Sequence, residues 1–374
     1  MSDLPSYDFA IIGGGIAGAG VAAMLDQEAR VLLLEKEDRP GYHSTGRSAA
    51  IFIQNYGSPE IRALNKASYP FLNSPPADFA EAGFLSPRGM MLIAGADGEA
   101  ALNEEIMQGE GLVRLSPQEA TEIVPLLKAQ NIKAATYEKN AQDIDVAALH
   151  QAFLRQAGRT GTALQTEAEL QQAQQQGNGL WHLKTSVGGF TARVVINAAG
   201  AWADQIAELC GVEPVGITPL RRSMAVLPSP SDHDPDTWPL VADVMEHWYM
   251  KPDAGRLLVS PSDEIPVAPH DAFVDDLVLA EGLYAFEQAT EYPVTRVKNQ
   301  WAGLRCFSPD RNPVVGFDPD NPTFFWLAGQ GGYGIQTAPA LSELAADLVQ
   351  RRSLKNWMTQ DLISGLSPDR FRET

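Results

Sequence analysis

The chain has 374 residues, 44% of them hydrophobic and 20% charged, which is the make-up of a globular protein large enough for two domains. Its 28 basic and 47 acidic side chains leave a net charge of -19, which excludes a nucleic-acid-binding or anionic-membrane surface. Two cysteines and six histidines, with no CxxC or HExxH spacing, exclude a disulfide scaffold and a thiolate or histidine metal site.

The first residues lack the basic-then-apolar pattern of a signal peptide, and no apolar run reaches the ~18 residues of a membrane span. A cytoplasmic protein is expected. The apolar run Asp8-Phe-Ala-Ile-Ile12 reads as a buried strand and ends in Gly13-x-Gly15-x-x-Gly18. A small-residue helix is expected to about Ala29, then a second strand, Val31-Leu-Leu-Leu34, that stops at Glu35. This is a βαβ unit with a dinucleotide fingerprint. Gly13 permits the tight turn, Gly15 lets the backbone approach a pyrophosphate, and Gly18 lets helix and strand pack closely. The helix start at Ile16 and Ala17 offers free N–H groups to phosphate. Glu35, twenty residues after Gly15, is placed to accept from ribose hydroxyls, with Lys36 beside it.

Next comes Gly41-Tyr-His-Ser-Thr-Gly-Arg-Ser-Ala-Ala50. Ser44, Thr45, Arg47 and Ser48 are residue types that line phosphates, and the segment directly follows the βαβ unit, so it reads as a second contact with the same nucleotide. Arg47 as a surface charge is the alternative. Helical patterns at residues 59–72, 99–108 and 117–123 alternate with strand-like pieces at 89–93 and 134–137. This breaks the β-α-β alternation and reads as the first half of an inserted domain.

Asp145 is expected to cap a helix reaching Gly158. A hairpin follows between Trp181 and Val195, and residues 167–169 precede it where a strand passes the adenine, giving Glu169 a place at the nucleotide. The strand Arg193-Val-Val-Ile-Asn-Ala-Ala-Gly200 is expected beside the first strand, with Ala199, Gly200 and Trp202 close to the nucleotide. Residues 217–298 return to short β pieces and read as the second half of the inserted domain. The chain then re-enters the nucleotide-binding part, ending in strand 324–328, the loop Gly329-Gln-Gly-Gly-Tyr-Gly-Ile-Gln336 and a long helix. A Gly-rich loop ahead of a helix is again an anion cradle.

These pieces together resemble the D-amino acid oxidase superfamily, which also holds glycine oxidase and sarcosine oxidase. The resemblance spans nearly the whole chain and is most specific at residues 41–50, Asn197-Ala-Ala-Gly-Ala-Trp202, Arg221-Arg-Ser223, Tyr249-Met-Lys-Pro-Asp-Ala-Gly255, Trp301-Ala-Gly-Leu-Arg305 and residues 330–336. Within the superfamily it is close to bacterial D-arginine dehydrogenase. The resemblance implies an α/β fold: a Rossmann-like FAD-binding domain of the glutathione-reductase type at residues 1–58, 143–216 and 299–374. An α+β substrate domain on an antiparallel sheet, residues 59–142 and 217–298, is interleaved with it.

The resemblance implies non-covalently held FAD contacted by Gly13, Gly15, Ile16, Ala17, Gly18, Glu35, Lys36, Ser44, Thr45, Gly46, Arg47, Ser48, Ala49, Ala50, Ile51, Glu169, Ala199, Gly200, Trp202, Gly331, Gly332, Tyr333, Gly334, Ile335 and Gln336. The implied reaction oxidises the Cα–N bond of a D-amino acid to an imine that hydrolyses to a 2-oxo acid, with electrons passing on to oxygen or a quinone. Arg222 and Arg305 would clamp the substrate carboxylate, helped by Tyr56 and Tyr249, with Gly332, Tyr333 and Met90 lining the site. The arginine dehydrogenase carries a histidine and a glutamate where this chain has Ile51 and Met90. Met90 cannot pair with a guanidinium, so cationic side chains are expected to be disfavoured. The same scaffold also admits oxidation of an N-methyl amino acid or a 2-hydroxy acid, and a flavoprotein without turnover is a third reading.

Overall fold

The structure is a computed structural model that describes residues 4–372. Two large sheets organise it. The first has eight strands. At its centre Gly188–Asn197, Ser6–Ile12, Val31–Leu34 and Ala163–Gln165 run parallel in that order. Phe324–Ala328 joins the carboxyl end of Gly188–Asn197, also in parallel. The register sets Ile12 beside Asn197 on one side and Leu34 on the other, so the strand ends that carry the glycine turn, Ala198 and Glu35 lie side by side.

The parallel strands are buried on both faces, which is why they read as unbroken apolar runs. The helices Ile16–Met24, Val146–Arg159 and Gly334–Val349 cover one face, and Ala22, Phe153 and Leu344 share their core. The first helix ends at Met24, short of the expected Ala29, because Leu25 is already extended and Asp26 begins a turn. The glutamine-rich stretch is a strand, Leu170–Gln175, with Leu170 and Ala173 facing inward. The hairpin at Trp181–Thr185 and Gly188–Asn197 forms where the alternation placed it.

The second sheet has ten strands and is antiparallel but for one pairing, Leu240–Asp243 beside Met90–Ala94. It joins residues that the sequence separates widely, and Met91, Val241 and Met250 meet in one core with Phe286 of the helix Asp276–Ala289.

Two boundaries differ from the sequence expectation. The strand Asn299–Phe307, assigned to the FAD-binding part, pairs along its whole length with Thr218–Leu227 and belongs to the second sheet. The helix Pro59–Asn73, assigned to the substrate part, buries Ile61, Leu64 and Leu72 in the core under the nucleotide sheet. Periodicity identifies an element but not its partner, and here the partners are distant in sequence.

Candidate active site

The turn Gly13–Gly18 is built as the spacing demands. Gly13 has φ +106°, a left-handed conformation that favours glycine, and a Cβ there would meet the carbonyl oxygen of Ala198 at 2.5 Å. A Cβ on Gly18 would sit 1.9 Å from the oxygen of Gly13. Gly15 differs: a Cβ would touch only Thr45 Oγ1, at 3.2 Å, so its bareness serves the open channel and not packing. Gly15 stands at the N-cap of the helix with no side chain to cap it; Thr45 takes the Ile16 N–H, and Gly15, Ile16 and Ala17 line the channel.

Glu35 is buried at the end of its strand, where its carboxylate accepts from the N–H of Gly14 and of Glu37, both at 2.9 Å. His150 Nε2 lies 2.9 Å from the Gly14 oxygen and braces the same turn. Burial holds the His150 imidazole below its ordinary pKa. An unfolded histidine therefore takes a proton that the folded site resists. The stability this confers is fully present above the unfolded value of about 6.5 and is lost as pH falls from there through the lower folded value. The melting temperature is expected to fall on acidification from about pH 7 to 5, and to fall less steeply in His150→Gln. An unchanged slope in that variant would remove His150 from the account.

Three contiguous chambers follow from this turn. The first is walled by Gly13, Glu35, Lys36, Ala168, Glu169 and Trp202, with Ala199 and Gly200 at its edge. Lys36 Nζ lies over the Trp202 ring, 3.4 Å from its centroid. The second chamber shares Gly15, Ser44, Thr45 and Gly200 with the first and runs past Ile16, Ala17, Ser48 and Ala49 to Gly331, Gly332, Gly334 and Ile335. The first spans about 920 Å³ and the second about 930 Å³ of space free of atoms, their solvent-open mouths included. The third, about 1250 Å³, shares Ser48, Ala49, Arg222, Tyr249, Arg305, Gly332 and Ile335 with the second.

The hydroxyl segment Ser44–Arg47 is a short 3-10 turn that pins the sheets together. Ser44 donates to the Leu304 carbonyl at 2.7 Å, and Thr45 Oγ1 accepts from the Ile16 N–H at 3.0 Å. Arg47 lines the second chamber, but its guanidinium is committed to Asp271 and to the carbonyls of Ala272 and Ala302.

Several expected contacts lie elsewhere. Gly18 and Gly46 face backbone rather than a chamber; a Cβ on Gly46 would meet the Gly41 oxygen at 2.7 Å. Ala50 and Ile51 wall the third chamber, not the second. Gln336 also faces the third, while bonding Ile53 N–H and Asn65. Tyr333 lines none of the three chambers: its buried ring packs on Tyr56 and Phe307.

The two arginines are brought together by strand register. Arg222 faces Gly303 across the antiparallel pair and Arg305 faces Leu220, so both side chains leave the same face, diagonally placed. Arg221, one residue earlier, points to the opposite face and pairs with Asp263 at 3.5 Å and Asp275 at 3.3 Å. The two members of the clamp are not equivalent. Arg222 donates to the Asp263 carbonyl at 2.9 Å and pairs with Glu264 at 3.1 Å. Burial, together with the like charge of Arg305, lowers its pKa. Arg305 has no carboxylate within ion-pair distance among the described residues. Its guanidinium lies against Gly332, where a Cβ would come within 3.1 Å of Nη1. The rings of Tyr56 and Tyr249 complete this wall.

The residues present fit FAD: two joined chambers, a helix start on the channel wall, an acid at the end of the second strand, and glycines where close approach is needed. Cys306 is on the channel wall, but burial pushes its thiol up to about 12, which makes it a poor nucleophile toward a flavin. Among the described residues no helix is long and apolar enough to cross a membrane, and no group of three or more His, Cys, Asp or Glu is placed to hold a metal ion.

A dinucleotide-binding unit whose channel opens into a chamber walled by a second sheet is the architecture of a cofactor-dependent oxidoreductase. Residues 8–348 match the family model described as DAO, FAD dependent oxidoreductase, and the chain belongs to that family and uses FAD. The FAD-dependent oxidoreductase domain-containing protein 1 of Bos taurus is 25% identical, over 91% of this chain and 81% of its own length. Glycine oxidase of Geobacillus kaustophilus is 24% identical over 92% of this chain and 93% of its own. The crystal structure of that species' glycine oxidase superposes with a TM-score of 0.84, at 24% identity, over 97% of this chain and 98% of that one. The structure of L-proline dehydrogenase from P. horikoshii gives the same TM-score at 23% identity, over 99% and 98%. These likenesses support the family and the fold. They do not carry the expected closeness to D-arginine dehydrogenase.

Proposed function

We propose that the protein oxidises the Cα–N bond of a D-amino acid, yielding an imine that water hydrolyses to a 2-oxo acid and ammonia. The observation that carries this reading is Arg305, a guanidinium without a protein carboxylate, set beside Gly332 where the flavin channel meets the third chamber. Leaving such a group unpaired is costly unless a ligand carboxylate completes it. Glycine oxidase among the relatives acts in keeping with an amino-acid substrate. FAD, when bound, supplies the two-electron acceptor.

The chain's own residues then have three tasks. Arg305, with Arg222 behind it, fixes the carboxylate and so orients Cα. Tyr56 and Tyr249 offer phenolic oxygens beside it. No histidine lines this chamber among the described residues, so the amine enters neutral or gives its proton to water, with the phenols as hydrogen-bond partners. The test is an anaerobic screen of the yellow holoprotein against D- and L-amino acids, N-methyl amino acids and 2-hydroxy acids, reading loss of flavin absorbance. Bleaching by D-amino acids above the rest is the expected result. Preferential bleaching by a hydroxy acid, or none by any compound, would overturn the proposal.

A further inference from the structure

The third chamber is electrostatically two-ended. Arg222 and Arg305 stand at the flavin end, and the remaining wall carries Glu105, Glu138, Asp243 and Glu246. Asp243 is occupied by His247, 2.5 Å away. Glu138 is the most enclosed, at 7% exposure, and its position follows from register. It lies directly across an antiparallel pair from Met90, so both side chains share one face and Glu138 returns a carboxylate to the wall that Met90 leaves apolar. The expectation that this chamber disfavours cations rested on Met90, and Glu138 stands across from it on the same face.

The protein offsets this end only in part. Glu138 accepts from the N–H of Gln54 at 3.2 Å and from Asn55, both neutral partners. The charge of Arg62 acts on Glu138 and Glu105, but its guanidinium donates to the carbonyls of Gly57 and Gln108. Among the described residues neither Glu138 nor Glu105 nor Glu246 has a basic group within ion-pair distance. Burial pushes the carboxyls of Glu138 and Glu105 above the usual range, against the opposing charge of Arg62 and, for Glu138, hydrogen bonds from Asn55 and Gln54.

We propose that the ligand of this chamber carries, besides the carboxylate held by Arg305, a second cationic nitrogen that is seated against Glu138, with Glu105 and Glu246 at the open side. The substrate class is then a basic amino acid or a comparable diamino acid. The inference rests on the reading of Arg305 as the carboxylate clamp.

The test uses binding and not turnover. The holoprotein is titrated with γ-aminobutyrate, δ-aminovalerate and ε-aminocaproate, and with butyrate, valerate and caproate, reading the perturbation of the flavin spectrum. At least one ω-amino acid is expected to bind about tenfold tighter than its plain counterpart. Glu138→Gln, which keeps an acceptor for Gln54, is expected to bring that ratio close to unity. Equal or weaker binding of every ω-amino acid by the wild type overturns the inference, whatever the variants do. A preference that persists in Glu138→Gln but vanishes in Glu105→Gln overturns the assignment to Glu138. A positive ratio in a protein that no amino acid bleaches would sink the proposed oxidation while leaving this inference intact.

Discussion

Arg305→Ala is expected to lower kcat/KM for the amino-acid substrate by on the order of 10²–10³-fold while the protein stays yellow. Truncating one partner of a desolvated, hydrogen-bonded ion pair typically costs ~2–5 kcal/mol, and every ~1.4 kcal/mol is a factor of ten. Among the described residues Arg305 has no carboxylate partner, so on the proposed reading a substrate carboxylate would take its full pairing. Arg222 already serves Asp263 and Glu264, and Glu264 keeps Arg311 at 3.0 Å when Arg222 is removed. Arg222→Ala is therefore expected to cost only about tenfold. Steady-state kinetics of both variants decide the matter, and a larger loss in Arg222→Ala would reverse the assigned roles. Arg305→Lys is expected to restore little, because an ammonium cannot make the paired bonds of a planar guanidinium.

The second large effect separates two glycines of one motif. Gly15→Val is expected to leave the fold intact but abolish FAD retention, because its side chain points into the channel and meets only Thr45 Oγ1 in the protein. Gly18→Ala is expected to cost about 3 kcal/mol or more in stability, since its Cβ would overlap the oxygen of Gly13 at 1.9 Å and push the helix Ile16–Met24 off its strand. Circular dichroism, thermal melting of the apoprotein and the FAD-to-protein ratio distinguish them. A Gly15→Val protein that purifies with stoichiometric flavin would remove the channel from its assigned role.

What the sequence made legible is what is local. The βαβ unit lies within Ser6–Leu34, so its periodicity, glycine spacing and terminal acid all fall inside one short window. The arginine pair was legible only through the motifs around it, since the register that joins Arg222 to Gly303 spans distant segments. Glu138 was invisible for the same reason. It sits at the end of the strand Ala134–Glu138, followed by Lys139 and Asn140, and reads as a solvated turn until Met90–Ala94 is laid beside it. Arg47 shows another limit: it lines the second chamber as its setting suggests, but the partners of its guanidinium, Asp271 and the carbonyls of Ala272 and Ala302, lie far away in the chain. Tyr333 belongs to a phosphate-cradling loop by sequence, and its ring turns instead into the aromatic cluster with Tyr56 and Phe307.

The lone parallel pairing of the second sheet, Leu240–Asp243 against Met90–Ala94, bears on biogenesis. A nascent chain halted before that later strand would leave Met90–Ala94 as an uncovered edge strand, a surface open to wrong partners. Synthesis must pass residue 243 before the edge is capped, and must reach Phe324–Ala328 before the nucleotide sheet closes. Contacts of such long sequence separation slow folding, and the flavin channel gains its wall of Gly331, Gly332, Gly334 and Ile335 only after that strand has been made.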